Sequence, residues 1–334
     1  MQDHSPDLAA LERFFDFARK KTEMGGPDVH MRAFGSGIGS DDHEERLWRT
    51  CMYATFSSTA PAAAVWARWP RDKVLSDPDG AIAWVLENFL GLPIRDTRRP
   101  VRSKKQLARC IVSAASWARD RARDMETMSY DEAWECAHEI HTFGRYVRIR
   151  FLEALARYCG YDQLILEDIR PKGGWGPRKG LALIYPCCAE KLASKDDRPL
   201  TLDAANAHAL DLKLRTEAEL GRSVSWHVIE TLICNYRQAL GGRMYPGRTL
   251  DNELEYHRRV EDWFGHDPYL GTFDFFKARA VGFDERCLAE VRGWAGTRKE
   301  LLVAAKTGAV WTDLQYDWFA TTEPSDPATW KEYT

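Results

Sequence analysis

A chain of 334 residues, 44% hydrophobic and 29% charged, can bury a full core unaided, and that balance excludes a disordered chain. A net charge of −3 gives no global sign of nucleic-acid binding, so any DNA surface must be a local basic patch. The eight cysteines show neither C-x-x-C nor a paired Cys–His spacing, which argues against a zinc site or a disulfide framework and for a reducing compartment.

The first predicted helix starts at Ser5-Pro6-Asp7, with Leu8, Leu11, Phe14, Phe15 and Ala18 as its apolar stripe. A glycine-rich connection around Gly25–Gly39 follows, and then a helix from Asp41 to Phe56 with Leu47, Trp48, Cys51 and Met52 inward. Pro61–Trp69, Ala81–Leu90, Lys104–Met125 and Tyr130–His141 read as further helices. A helix opens at Arg145 and runs to Cys159; Asp203–Leu220 and Val224–Leu240 are long helical patterns joined at Gly221. Beyond Asp251 the helical pieces are Leu254–Phe264, Phe273–Ala280, Asp284–Trp294 and Lys299–Thr307, before a Pro/Ser/Thr-rich tail. Alternating β-branched runs are nearly absent, so the expected fold is all-α. The expected organisation is one helical domain over residues 1–255, with a helical extension and loose tail over 256–334. The N-terminus has no basic and apolar leader, and no run approaches the ~20 apolar residues of a spanning helix, so the expectation is cytoplasmic, without a membrane partner.

Four segments carry chemistry. In His141-Thr142-Phe143-Gly144-Arg145-Tyr146 a glycine turn feeds a helix N-terminus, which suits a phosphate; the alternative is a glycine that lets the helix pack closely. Arg148 lies one turn further on. Pro171 to Gly180 places Lys172, Gly174, Trp175, Gly176, Arg178 and Lys179 together, which reads as a glycine-rich loop whose cations face phosphate oxygens. It does not satisfy the P-loop pattern. In Trp226–Arg237, Glu230, Cys234 and Arg237 fall on one helical face, and Glu230 is either salt-bridged or a general base. Gly241-Gly242-Arg243 continues into a second glycine–cation loop. Arg95, Arg98, Arg99, Arg102, Lys104, Lys105 and Arg109 form the clear basic cluster, either a solvated face or a track for a DNA backbone.

Phe143-Gly144, then Gly174-Trp175-Gly176-Pro177-Arg178-Lys179-Gly180, then Glu230 through Cys234 stand in an order that resembles the alpha-glutamyl/putrescinyl thymine pyrophosphorylase group and the related amino acid:DNA transferases. Glu45-Arg46-Leu47-Trp48-Arg49 through Tyr53 looks like that group's early arginine-bearing helix, so the likeness covers roughly residues 10–250. The resemblance implies an enzyme of bacteriophage DNA hypermodification. An amine or amino acid would attack the 5-methylene carbon of a pyrophosphorylated 5-hydroxymethyluracil and expel pyrophosphate. It implies Glu230 as the base, with His227 second, and Lys172, Arg178 and Lys179 on the leaving group. Gly144 and Arg145 would hold DNA phosphates, and Trp175 or Tyr146 would stack on an extruded base. No cofactor follows with certainty; Mg²⁺ on the pyrophosphate is the candidate ion. A helix-hairpin-helix DNA glycosylase is the alternative enzyme, because the Gly144 turn is similar to that family's hairpin and Asp162 stands at about the spacing of its catalytic aspartate. The non-enzymatic alternative is a helical DNA-binding protein.

Overall fold

The computed structural model of the chain describes residues 5–23, 31, 34–35, 38–39, 42–93, 103–169, 175–186, 189, 199–244, 248–266, 290–292 and 315–317. Arg95, Arg98, Arg99, Arg102, Lys172 and Gly174 lie outside them, as do the helices expected over 273–280 and 299–307. The fold is all-α, apart from one short ladder in which β1 (Glu290–Arg292) pairs antiparallel with β2 (Gln315–Asp317). This corrects the helix expected over 284–294 at residues 290–292, the part of it that is described. Three residues of polar–apolar–polar alternation are too short a signal to outweigh helical composition in a sequence reading.

The chain divides into two compact units. One comprises His30–Ile165, Asn252–Phe283 and Glu323–Thr334. Its centre is α2 (His43–Phe56), which Asp42 caps by accepting the amides of Glu44 and Glu45. Leu47, Trp48 and every residue from Thr50 to Phe56 are buried, so the helix is covered on all sides. Around it stand α3 (Thr59–Arg68), α4 (Arg71–Ser76), α5 (Pro78–Asn88), α6 (Lys104–Met125), α7 (Tyr130–Cys136) and α8 (Arg145–Tyr158); α3, α6 and α8 pack on α2 directly. Two buried threonines of this core are satisfied within their own helix. Thr50 and Thr55 donate to the carbonyls of Arg46 and Cys51, each at 2.7 Å. Burial pushes the Cys159 thiol up to about 11 and raises Cys51 and Cys110 as well, so these thiols stay protonated and inert. α12 (Arg248–Phe264), which runs through residue 255 without a break, supplies Glu253. This buried carboxylate accepts from the Ser58 hydroxyl at 3.0 Å and the Thr59 amide at 3.3 Å, and so caps α3 where Ser58 itself does not.

The other unit comprises Met1–Val29, Leu166–Asp251 and Asp284–Thr322. Four helices share its core: α1 (Leu8–Glu23), α9 (Trp175–Ile184), α10 (Pro199–Leu220) and α11 (Trp226–Leu240). α1 buries Leu11, Phe14, Phe17 and Ala18, whereas Leu8, expected inward, is 70% exposed. The Tyr236 ring stands edge-on to Phe14 at 5.4 Å, and its hydroxyl donates to the Ala10 carbonyl at 3.3 Å, tying α11 to α1. Tyr185, just past α9, donates to Asp211 of α10 at 2.7 Å.

α9 corrects the sequence reading most. Residues 175–180, expected as a loop, are helical. A Cβ on Gly180 would meet Ile233 Cγ2 at 2.5 Å and the Ile233 carbonyl oxygen at 2.6 Å; a Cβ on Gly176 would meet Cys234 Sγ at 3.3 Å. The two glycines stand one turn apart on the face that α9 turns to α11. They permit close approach of two helices, and glycine's weak helix propensity (~1 kcal/mol below alanine) is outweighed by that packing.

Candidate active site on α11

Ser225 caps α11 by accepting the Val228 amide at 3.3 Å. Ile229, Leu232, Ile233 and Tyr236 form the helix's apolar face, but the buried surface extends past it to His227, Thr231, Cys234 and Asn235. Glu230 is half-buried beside them. His227 Nε2 lies 3.3 Å from Thr231 Oγ1, and the Thr231 hydroxyl lies 3.4 Å from Glu230 Oε2 as its donor. One hydroxyl proton cannot serve both neighbours. When it is given to Glu230, the oxygen accepts from His227 Nε2–H and fixes that tautomer. The two sequence candidates are therefore joined through Thr231, which sequence reasoning passed over. The available signal was spacing alone: a threonine four residues after a histidine and next to a glutamate.

The cations of the second segment divide sharply. Arg178, in the second turn of α9, is 1% exposed, whereas Lys179 is half-buried. Trp175 is the first residue of that helix. Arg243 is exposed beyond the end of α11, its amide donating to the Gln238 carbonyl at 2.8 Å. Among the described residues, no group of three or more His, Cys, Asp or Glu gathers that could hold a metal ion.

In the other unit, Gly144 is the N-cap of α8 with φ −70°, and a Cβ there would meet nothing within 4 Å. Neither backbone geometry nor packing requires glycine at this position, so the expectation that it allows close packing is corrected. Its effect is to leave the first turn of α8 uncovered. Thr142, two residues earlier, sits at φ 74°, a strained conformation for a β-branched residue. Arg145 and Tyr146 are half-buried. Arg148 points inward: it stacks over the Trp134 ring at 4.1 Å and donates to the Trp134 carbonyl at 2.9 Å, and burial lowers its pKa. Tyr146 accepts from Arg150 Nε at 3.2 Å. Asp162 is exposed at the start of a 3-10 turn over Asp162–Leu164 in this same unit. Tyr161 beside it, its pKa raised to about 12 by burial, lies 3.4 Å from His43 Nδ1.

A family model described as amino acid:DNA transferase matches residues 74–244, just over half of the chain and the span that carries the Gly144 turn, α9 and α11. That match defines the class: a DNA-modifying transferase with an all-α fold. The chain belongs to the amino acid:DNA transferase family. No curated protein and no solved structure matches it, so kinship with the helix-hairpin-helix glycosylases gains no support. No helix among the described residues is long and apolar enough to cross a membrane.

Proposed function

We propose that the protein joins the amino group of an amino acid or other amine to the 5-methylene carbon of a pyrophosphorylated 5-hydroxymethyluracil in DNA. The observation that carries this reading is the His227–Thr231–Glu230 chain on α11, inside the span matched by the transferase family. Only a free amine is nucleophilic, so the incoming ammonium must give up a proton. Glu230 accepts it, and His227 through Thr231 orients the carboxylate. The nitrogen forms a C–N bond as the C–O bond to the pyrophosphate breaks, and the leaving group departs with the electron pair. Extrusion of the target base from the duplex is required for any amine to reach that carbon.

DNA phosphates would be met at the uncovered first turn of α8, where amides and the positive end of the helix face outward beside Arg145. This yields an expected trade-off. Gly144→Asp supplies the missing side-chain cap and should stabilise the protein by about a few tenths of a kcal/mol, since glycine is itself a tolerated N-cap. Its carboxylate would occupy the phosphate's place, so DNA affinity should fall roughly 10–100-fold, the worth of a charge-assisted hydrogen bond. Fluorescence anisotropy with a duplex, beside urea unfolding, measures both; unchanged affinity in a folded variant removes the phosphate from this turn.

The function is tested with duplex DNA carrying the pyrophosphorylated base, an amino-acid mixture and mass spectrometry of the digested nucleosides. A nucleoside heavier than 5-hydroxymethyl-2′-deoxyuridine by one amino acid less one water is expected. Abasic sites would instead support a glycosylase, and unaltered nucleosides a binding protein; either result overturns the proposal.

A further inference from the structure

We infer that Arg237 on α11 holds the pyrophosphate as it leaves, a role that the family resemblance gives to Lys172, Arg178 and Lys179. The inference rests on the proposed release of pyrophosphate and assigns a residue to it.

Three observations converge on Arg237. First, Glu230, Cys234 and Arg237 stand at i, i+4 and i+7, so the proposed base and this cation share one face of one helix about two turns apart. Second, the Arg237 guanidinium makes no hydrogen bond or ion pair among the described residues, and its Nε is shut off from water. A buried donor left in that state costs ~1–3 kcal/mol, and an anion would relieve it. Two other arginines of this unit are matched with acids, Arg215 with Asp211 at 3.0 Å and Arg19 with Asp16 and Glu219. Arg237 lies in the last turn of α11, where a cation favours the helix dipole, but that does not account for a guanidinium without an acceptor. Third, Gly176 of α9 faces it: a Cβ there would lie 3.3 Å from Cys234 Sγ and 3.9 Å from Arg237 Nη2. The absence of a side chain at 176 keeps clear the space beside the guanidinium. Arg178, by contrast, is sunk in the interior at 1% exposure.

The chemistry fits that placement. A guanidinium fork matches two phosphate oxygens and neutralises charge that grows on them as the C–O bond breaks. A lysine would supply the charge without the fork.

Titration calorimetry of the full chain with inorganic pyrophosphate tests this, with inorganic sulfate at equal ionic strength as the control anion. Wild-type protein should bind pyrophosphate in preference to sulfate. Arg237→Gln should bind it about 10–100-fold more weakly, and Arg237→Lys should fall between. Affinity for unmodified duplex should stay unchanged and the unfolding midpoint should not fall, since the variant removes a buried donor without a partner; Arg237→Lys, which retains length and charge, stands in if Arg237→Gln fails to fold. Pyrophosphate affinity equal to wild type in the folded variants overturns the inference and leaves the transferase reading standing. Wild-type protein that transfers amines yet binds no pyrophosphate also overturns the inference alone. Wild-type protein that does neither overturns both.

Discussion

Glu230→Gln is expected to lower turnover by about 10²–10⁴-fold, the usual worth of general-base catalysis. The amide keeps the shape of the carboxylate and an oxygen to accept from Thr231, which stands 3.4 Å away, so the helix and its packing should survive. What disappears is the capacity to take a proton. DNA affinity should therefore barely change, while kcat falls. The pH dependence separates this from a structural role. A peptide's α-amino group ionises near pH ~8, and that of a free amino acid or alkyl amine higher still. As pH rises a growing share of the incoming amine is already deprotonated, and an enzyme without its base loses less. The ratio of wild-type to variant activity should shrink as pH rises from about 7 to about 9. A Glu230→Gln protein with full activity at neutral pH, or a ratio that stays constant, would move the base elsewhere, with His227 next in line.

Gly180→Ala carries the second large effect. The added methyl would sit 2.6 Å from the Ile233 carbonyl oxygen and 2.5 Å from its Cγ2. A side-chain methyl can rotate away, but a helix carbonyl cannot, so α9 and α11 must part. Overpacking of this kind costs ~1–3 kcal/mol and outweighs the ~0.5–1 kcal/mol that alanine gains over glycine in a helix. Because α11 carries Glu230, Thr231 and His227, turnover should fall with stability. Gly176→Ala meets only a sulfur at 3.3 Å and should be near neutral in stability, the packing cost and propensity gain offsetting each other. A phosphate loop predicts a different result: Gly180→Ala would weaken phosphate binding and leave unfolding alone. Urea midpoints for the two variants decide, and a Gly180→Ala protein as stable as wild type contradicts the packing account.

Much of the fold was legible because helical periodicity is a local signal. α6 spans Lys104–Met125, as its pattern implies, and α11 starts within two residues of the expected Val224. The failures have physical causes. Residues 175–180 read as a loop because glycine and proline are weak helix formers, and only the closeness of Gly176 to Cys234 and of Gly180 to Ile233 shows why a helix there carries glycine. α4 (Arg71–Ser76) is too short to show a period. α1 uses Phe17 where Phe15 was expected, a rotation of the stripe that neighbouring helices decide.

The site was legible in its charged members and opaque in the rest. His227 and Glu230 interrupt an apolar helix and draw notice; Thr231, which bridges them, has no distinguishing type, and the role proposed for it rests on two distances. Arg237 stands on the Glu230 face in the sequence, but whether a cation has an acceptor is a question of three-dimensional neighbours. Gly144 shows the same limit. A glycine that packs and a glycine that leaves space are identical letters, and the empty volume around its missing Cβ separates them.

The central claim is substitution at carbon, with an amine entering and pyrophosphate leaving. It is tested most directly with DNA in which the oxygen joining the 5-methylene to the pyrophosphate is ¹⁸O. Attack at the methylene carbon breaks the C–O bond, so the label must leave with pyrophosphate while the base gains the amine nitrogen. Label retained on the base, with phosphate lost by P–O cleavage and no nitrogen gained, would contradict the account.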